Sequence, residues 1–487
     1  MSILQLPKGR AVDNSPDAPA CPPWLLLLDD PEPASVLFVG VPDPANTRWF
    51  VEVGARVATH PAAPASQPPD VVVVTGPTRR TLSRRRATAA ECVLIEELAV
   101  LAGPRTALVV PWSLRERTSA VLASHGFSVL RPIEAVRRGR RSNRASGGYI
   151  ALQATEAAEG PAAPPRWLAE LSKGQTWAPG PGGWSLRVPS AYPSQKALVM
   201  ITPSPTEPAT AVLKLTRHPR FNDRLDNEFT QLRQLASIGG EASSRVPAAL
   251  ATGRVAGMTA VVEQAVGGRP FLEATTMKAD CPLAIDAVAA ITALGSSTAQ
   301  PISGGIFAGP LTELLDRFVV RHTPPDPVAG FLAEQIAVLA DHEVPGVLFH
   351  GDLGTWNLMA DGGSVRILDW ESAEAPGPPL WDLAYFVRSF AVRSGRRRGL
   401  DRDRAIDRNL VANSPFNQAA TTWFRSYADQ VGVADELLAP LFHLGWMHRA
   451  VKESNRLEPE RTGHYGPLCT RLVLSRDQAG LKNLLGR

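Results

Sequence analysis

The sequence predicts an α/β domain with a parallel sheet, followed by a two-lobed α+β region. Short apolar strands alternate with helix-like segments from about 34 to 155, and a Pro/Ala/Gly-rich stretch follows at 156–165. Strands then give way to helices after about 271. Alternation indicates a parallel sheet covered by helices, whereas strands followed by helices indicate an α+β arrangement.

The predicted domain boundaries follow these changes in pattern. Residues 1–20 are expected to form a flexible tail, 21–155 the α/β domain and 156–180 a linker. Residues 181–266 are expected to form a mixed lobe and 267–487 a helical lobe, with a cleft between the two lobes.

Apolar runs and helical periodicity predict the individual elements. In the α/β domain we expect strands at 35–40, 55–59, 70–74, 106–111 and 127–130 and a helix at 87–102. In the two lobes we expect strands at 197–201, 210–215 and 258–263, and helices at about 223–236, 283–295, 311–322, 328–341, 416–430 and 434–452.

Composition excludes several classes of protein. With 44% hydrophobic and 20% charged residues, the chain can bury a large core. No apolar run approaches the roughly 18 residues of a membrane span, and the first residues lack a signal-peptide pattern, so a cytoplasmic protein is expected. The four cysteines are far apart, which excludes a CxxC metal or redox pair. A net charge of +4 does not indicate nucleic-acid binding, and the oligomeric state is not predicted.

The strongest chemical signal lies between 348 and 371. His350, Asp352 and Asn357 have the spacing H-x-D-x-x-x-x-N, and Asp369 follows at the end of an apolar strand. The turn Asp361-Gly-Gly363 predicts a hairpin that brings Asn357 and Asp369 together. An amide oxygen and a carboxylate suit Mg²⁺ that bridges phosphates, and Asp352 can accept a proton from a hydroxyl. The alternative is that these are ordinary loop and strand-end residues.

A second signal is Lys214, one of only seven lysines, inside the apolar strand Ala211–Leu215. A buried ammonium is costly unless it is paired, and Glu228 lies fourteen residues further on, in a predicted helix. The alternative is a solvent-facing lysine on an edge strand.

Together these residues resemble the aminoglycoside phosphotransferase and choline-kinase-like family, which has a protein-kinase-like fold, over residues 180–480. The resemblance implies that Asp352 is the catalytic base, that His350 supports the loop, and that Asn357 and Asp369 hold Mg²⁺. Protein kinases proper are disfavoured, because the chain has His-Gly-Asp and Asp-Trp-Glu where they have H-R-D and D-F-G.

The resemblance also implies how ATP is bound. Lys214, braced by Glu228, would hold the α- and β-phosphates. Asp382, in Trp381-Asp-Leu-Ala384, would be a structural anchor of the loop.

Two further segments are implied to contact the nucleotide. Ser190 and Ser194 lie where a phosphate-covering loop is expected, although a plain hairpin turn explains that segment equally well. Backbone groups of Glu263 and Gln264 would hydrogen-bond adenine.

The N-terminal domain weakly resembles Rossmann-like methyltransferases. Its first strand ends at Gly40, but Pro42 and Pro44 follow in the turn, and the second strand ends in His60 instead of an acidic residue. Prolines fix φ and remove N–H donors where a cofactor would need to approach the backbone. We therefore expect a degenerate domain that does not bind S-adenosylmethionine.

Three arginine clusters, at 79–86, 137–144 and 393–404, have no role in this scheme. They can contact an anionic acceptor, a lipid surface or nucleic acid. The favoured interpretation is that they are solvated loops of an arginine-rich protein.

The sequence thus predicts an ATP- and Mg²⁺-dependent phosphotransferase that acts on a hydroxyl of a small molecule: a sugar, an aminoglycoside-like compound, an amino alcohol or a glycan end. Two alternatives remain. One is a pseudokinase-like binding or scaffold module, and the other is a bifunctional methyltransferase–kinase.

Overall fold

The computed structural model describes residues 21–28, 32–39, 44–52, 55–60, 69–74, 106–111, 127–132, 149–154, 163–188, 196–455 and 463–486. The chain divides into two compact units. The sheet unit comprises Asn14–Asp226 and Ala249–Ala265. The helical unit comprises Asn227–Ala248 and Val266–Arg487. The predicted tail 1–20 and the predicted helix 87–102 lie outside the described residues.

The sheet unit begins with a six-stranded sheet in the order β2-β1-β3-β4-β6-β5. Its strands are β1 (Ser35–Val39), β2 (Arg56–His60), β3 (Val71–Val74), β4 (Ala107–Pro111), β5 (Phe127–Pro132) and β6 (Tyr149–Ala154). Strands β1 to β4 are parallel, as predicted, but β6 is antiparallel to both β4 and β5. Strand β5 therefore runs in the same direction as β1 to β4. The prediction of a purely parallel sheet is wrong at β6, a strand that the sequence analysis did not predict.

Helix α1 (Pro44–Glu52) follows β1. Pro44 was predicted in the turn after β1, but it is the first helical residue, where its fixed φ and missing N–H are tolerated. Gly40 and Pro42 lie outside the described residues. The likeness to methyltransferases and the absence of S-adenosylmethionine binding stay predictions.

A five-stranded antiparallel sheet follows in the same unit, in the order β10-β11-β9-β8-β7. Its strands are β7 (Trp184–Arg187), β8 (Ala197–Ile201), β9 (Ala211–Leu215), β10 (Ala249–Val255) and β11 (Met258–Gln264). The central strand, β9, carries Lys214, so this lysine does not lie on an edge strand.

The two sheets of the sheet unit share one hydrophobic core, to which Phe38 of β1 and Val199 of β8 both belong. Helix α2 (Arg166–Ser172) lies inside the segment 156–180 that was predicted as a linker. Its Trp167 is buried in that core and donates from Nε1 to the carbonyl oxygen of Leu26 at 3.1 Å. The described part of this segment is therefore packed against the core, which the loss of periodicity did not reveal.

The helical unit is dominated by helices. The sequence predicted those that begin at Asn222, Pro282, Gly305, Asp326, Pro415 and Leu438, but not those that begin at Trp381, Tyr465 and Ala479. Helix α3 (Asn222–Ile238) begins in the sheet unit and ends here; the others are α4 (Gly240–Ser244), α5 (Phe271–Ala274), α6 (Pro282–Thr298), α7 (Gly305–His322), α8 (Asp326–Ala340), α9 (Trp381–Arg397), α10 (Arg402–Ile406), α11 (Pro415–Val431), α12 (Leu438–Ser454), α13 (Tyr465–Leu474) and α14 (Ala479–Leu485). In α11, for example, Phe416, Ala420, Trp423 and Tyr427 recur every three or four residues and are buried. None of the described helices is long and apolar enough to cross a membrane.

Two small sheets in the helical unit position the loop that carries Asp352. Their orders are β12-β15-β16 and β13-β14-β17. The strands are β12 (Arg269–Pro270), β13 (Gln300–Ser303), β14 (Glu343–Phe349), β15 (Leu358–Asp361), β16 (Ser364–Ile367) and β17 (Glu374–Gly377). The loop 350–357 connects β14 to β15, and Asp369 follows β16.

Candidate active site

The predicted hairpin is present and joins Asn357 to the segment that ends at Asp369. Strands β15 and β16 pair antiparallel, and Gly362 and Gly363 form their turn with φ of 56° and 90°, values that favour glycine. The Leu368 N–H donates to the carbonyl oxygen of Asn357 at 2.9 Å. Asn357 and Asp369 therefore stand at the same end of the hairpin.

The loop between β14 and Asn357 is folded by its own backbone. The Gly354 N–H donates to the Asp352 carbonyl oxygen at 2.8 Å, and the Asn357 N–H donates to the Gly354 carbonyl oxygen at 3.0 Å. Gly351 has φ of 74°, and a Cβ there would lie 2.3 Å from the carbonyl oxygen of Ser372. A glycine is required at this position for both reasons.

His350 is fully buried and supports the loop through both ring nitrogens. Its Nδ1 accepts the Asp352 N–H at 3.2 Å, and its Nε2 lies 2.8 Å from the carbonyl oxygen of Leu368. Nδ1 therefore acts as an acceptor, and Nε2 is placed to donate to the carbonyl oxygen. His350 thereby ties the segment carrying Asp352 to the residue before Asp369.

Asp382, at the start of α9, fixes the same loop by its backbone. Its Oδ2 accepts the His350 N–H at 2.5 Å, and its Oδ1 accepts the Gly351 N–H at 3.1 Å. Burial raises the pKa of Asp382, and the nearby His350, these two N–H donors and Arg449 oppose the rise. Both carboxylate oxygens are used for backbone contacts, as expected of a structural anchor.

Two cations on α12 contact the loop, and the sequence did not predict them. Arg449 Nη2 donates to Asp352 Oδ1 at 2.8 Å, and its Nη1 donates to the Gly351 carbonyl oxygen at 2.7 Å. Lys452 Nζ donates to the same carbonyl oxygen at 3.1 Å. Burial alone would lower the pKa of Arg449, but Tyr385 and Asp352 raise it. The scarcity of lysine was the one sequence signal that could have singled out Lys452.

The backbone around Asp369 is held in an uncommon conformation by side chains of α3. Asp369 has φ of 71° and ψ of 64°, which a non-glycine residue rarely adopts. The buried carboxylate of Glu228 accepts the N–H of the next residue, Trp370, at 3.0 Å. Asn227 Nδ2 donates to the carbonyl oxygens of Glu371 and Ala373 at 3.2 and 2.9 Å. Glu228 thus positions Asp369, a role that the sequence did not predict; its predicted pairing with Lys214 stays a prediction.

Asn357 and Asp369 fit a Mg²⁺ ion that also takes phosphate oxygens. Asn357 Nδ2 donates to the Asp352 carbonyl oxygen at 2.9 Å, so its acceptor atom, Oδ1, is not used in that bond. Mg²⁺ is usually held by one or two protein oxygens together with phosphates and water. Within the described ranges no group of three or more His, Cys, Asp or Glu side chains could hold a metal ion, so a dedicated protein cage is not found there.

In the sheet unit, Lys214 is buried and ion-paired. Its Nζ lies 2.7 Å from Glu263 Oε1, and the two side chains are 8% and 5% exposed. Lys214 pairs in register with Val261 of β11, so Glu263, two residues further along β11, is its diagonal neighbour on the same face. Glu263 was predicted to act through its backbone only, and the sequence did not predict this side-chain contact.

The remaining predicted nucleotide contacts stay predictions. Gln264 is the last residue of β11, pairs with Ala211 and is exposed. Ser190 and Ser194 lie outside the described residues.

Comparison with known proteins agrees with this arrangement. The family model of the phosphotransferase enzyme family, APH, matches residues 202–455, which is more than half of the chain. The chain belongs to this phosphotransferase family. The predicted phosphotransferase is thereby confirmed, and the matched residues include the hairpin and Lys214. Among curated proteins, none matches this sequence.

Solved structures similar to this phosphotransferase have low sequence identity. A glucosamine kinase in complex with glucosamine, ADP and inorganic phosphate is 15% identical, covers 69% of this chain and 89% of its own, and has a TM-score of 0.42. The aminoglycoside phosphotransferase APH(3'')-Id from Streptomyces rimosus, in complex with ADP and streptomycin, is 16% identical. The match covers 60% of this chain and 98% of that protein, with a TM-score of 0.36.

Proposed function

We propose that this phosphotransferase moves the γ-phosphoryl group of ATP to a hydroxyl of a small molecule. The observation that carries the proposal is the hairpin, which joins Asn357 and Asp369 at one end while His350 ties the same place to the loop of Asp352. A base and two hard oxygen ligands at one locus are what phosphoryl transfer requires.

In this proposal, Asp352 orients the acceptor hydroxyl and takes its proton. Its carboxylate is 31% exposed, so a substrate can reach it, and Arg449 fixes one of its oxygens. A bond forms between the acceptor oxygen and the γ-phosphorus, the bond from that phosphorus to the leaving oxygen of ADP breaks, and the proton goes to Asp352.

Asn357 and Asp369 would hold Mg²⁺ through Oδ1 and the carboxylate. Bound there, the ion supplies positive charge for the phosphate oxygens. Lys214 would bind phosphates in the family manner, with Glu263 fixing its ammonium. Backbone groups of Glu263 and Gln264 would bind adenine.

The experiment is a transfer screen with radiolabelled ATP and the purified full chain. Acceptors are neutral sugars, amino sugars, sugar phosphates, sugar acids, amino alcohols and aminoglycosides, each with Mg²⁺ and with excess chelator. We expect a labelled, metal-dependent product with at least one class. A pseudokinase-like binding module would bind ATP and label none, which would contradict the proposal.

A further inference from the structure

A second concave site lies in the helical unit, beside the loop that carries Asp352. It encloses about 230 Å³. The residues around it come from α9, α10, α12, α13 and the loop itself, and those used below are Trp356, Arg388, Arg393, Arg396, Arg402 and Glu453. We call it the arginine pocket. It contains part of the 393–404 cluster, which was expected to be solvated loop. These arginines lie on α9 and α10 instead of in a loop, and Arg396 and Arg402 are exposed to solvent.

Among the residues that the structure describes, the arginine pocket has four guanidinium groups and one carboxylate. That carboxylate, Glu453, uses Oε2 to accept the N–H groups of His464 and Tyr465 at 2.5 and 2.7 Å. In the part of the chain that the structure describes, none of the four arginines forms an ion pair within 4.0 Å. Four positive charges close to one another outnumber the single carboxylate, and an anionic ligand would reduce their mutual repulsion.

Arg388 is the most deeply buried of the four, at 6% exposure. Its guanidinium carbon lies 5.0 Å from the centre of the Tyr465 ring, and its Nη2 donates to Nε2 of His464. Its Nε is buried and has no hydrogen-bond partner among the described residues. A buried, charged donor without an acceptor is costly, so an acceptor from a ligand would stabilise it.

The histidine in the arginine pocket, His464, adds no charge of its own. Burial, together with Arg388, Arg402 and Arg396, lowers the pKa of His464 to about 3. The ring is therefore neutral near pH 7, and among the described residues the charge of the site comes from the four arginines and Glu453.

The arginine pocket is tied directly to the catalytic loop. Trp356, one of its walls, lies four residues after Asp352, which limits the separation of the two backbone positions to about 14 Å. The residue before Trp356 also contacts the pocket: the Thr355 N–H donates to Ser389 Oγ at 3.1 Å, and Ser389 follows Arg388 on α9. A small molecule can therefore reach from this pocket towards Asp352.

We propose that the arginine pocket binds an oxyanion, phosphate or carboxylate, on the phosphoryl acceptor. The acceptor is then an anionic small molecule, such as a sugar phosphate or a sugar acid, and a polycationic aminoglycoside is repelled. Planar guanidinium groups match both oxyanions by paired hydrogen bonds. This inference rests on the proposed function, because it assigns the substrate class of that reaction.

Binding is measured first, by calorimetry with the full chain, with ADP and Mg²⁺ saturating so that the nucleotide's own phosphate sites are filled. The probes are inorganic phosphate, glucose 6-phosphate and glucuronate, compared with glucose and glucosamine. We expect at least one anionic probe to bind, and Arg396→Gln and Arg402→Gln to weaken it about tenfold or more. The phosphate and carboxylate probes show which oxyanion is preferred.

Matched variants separate this site from general charge effects. Arg397→Gln changes the neighbouring exposed arginine, which does not line the pocket, and should leave binding unchanged. Arg388→Lys keeps the buried charge but lacks Nε, and should also weaken binding. Absence of binding by every anionic probe, or equal weakening by Arg397→Gln, would overturn the proposal.

Turnover then distinguishes the two proposals. If anions bind with this arginine dependence but no acceptor is phosphorylated, the arginine pocket stands and the proposed function fails. If a neutral or cationic acceptor is phosphorylated at a rate that Arg396→Gln leaves unchanged, the function stands and the assignment of the pocket is wrong.

Discussion

Two ion pairs, one in each unit, have nearly the same length and differ in burial. Lys214 Nζ and Glu263 Oε1 are 2.7 Å apart, and the two side chains are 8% and 5% exposed. Arg449 and Asp352 are 2.8 Å apart, but while Arg449 is 12% exposed, Asp352 is 31% exposed. The first pair is removed from water on both sides, whereas the second leaves its carboxylate open to a reactant.

This difference in burial predicts how much stability is lost when each pair is broken. A fully buried pair cannot lose one partner without leaving an uncompensated charge in the core. A half-exposed carboxylate can exchange water for a substrate hydroxyl, and its own charge remains hydrated. We therefore expect changes at the first pair to reduce stability in addition to any effect on ATP binding, and changes at the second to affect mainly turnover.

The largest effect on stability is expected for Lys214→Met. Because Glu263 would stay charged in the core, the free energy of unfolding should fall by about 3–5 kcal/mol. Adding Glu263→Gln removes the remaining buried charge and should restore much of the loss. Urea unfolding of the two variants and the parent measures this, and an unchanged midpoint for the single variant would show that the pair is not desolvated.

At the pair of Arg449 and Asp352, Arg449→Gln should reduce kcat and leave the KM for ATP unchanged. The reason is that Asp352 loses the group that fixes one of its oxygens, and a misplacement of about 1 Å can cost up to about 10²-fold. Arg449→Lys keeps a cation near Asp352 and should recover part of kcat. Steady-state kinetics with the acceptor found in the screen tests this; a rise in KM alone would contradict a positioning role.

Asp369→Asn should weaken Mg²⁺-dependent ATP binding about tenfold, because a neutral amide replaces a charged oxygen ligand. Asp361→Asn is the matched control, since Asp361 lies at the other end of the hairpin and is exposed. Calorimetric titration with ATP, with and without Mg²⁺, provides the measurement. Equal effects of the two variants would exclude Asp369 as a metal ligand.

The smallest expected effect is on the pH dependence of stability, and it concerns a buried neutral side chain, His448. Burial, with Lys452 and Arg449, lowers the pKa of His448 well below its usual value. The ring stays neutral in the folded state and takes up a proton on unfolding below about pH 6.5, so its contribution to stability is present above that pH and is lost as the pH falls.

For His448 the slope is at most about 1.4 kcal/mol per pH unit. His448→Gln should therefore lose less stability than the parent between pH 7 and pH 5, as measured by urea unfolding at each pH. An identical pH dependence in the two proteins would show that this histidine is not responsible.

The sequence predicted the hairpin and its ligands because they are local. Asn357 and Asp369 are twelve residues apart around a glycine turn, and turn chemistry fixes their meeting. Arg449 is 97 residues from Asp352, and no periodicity links an arginine on α12 to a loop after β14. Long-range partners of this kind became visible only in the packed structure.

Pairing register explains the other surprises. Glu263 reaches Lys214 because β11 and β9 pair antiparallel in one register, and a sequence pattern does not specify which strand lies beside which. The same limit applies to β6, which was not predicted and whose direction is fixed by its antiparallel pairing with β4 and β5. Helices such as α11 were predicted well because the periodic spacing of their buried residues lies within one continuous segment of sequence.

The most direct test of phosphoryl transfer by this chain is Asp352→Asn. The variant and the parent are compared in ATP binding by calorimetry and in formation of ADP and phosphorylated acceptor. We predict unchanged nucleotide affinity and a fall in kcat of about 10²- to 10⁴-fold, the usual contribution of a positioned base. Turnover of the acceptor by Asp352→Asn at the parent rate would contradict the account.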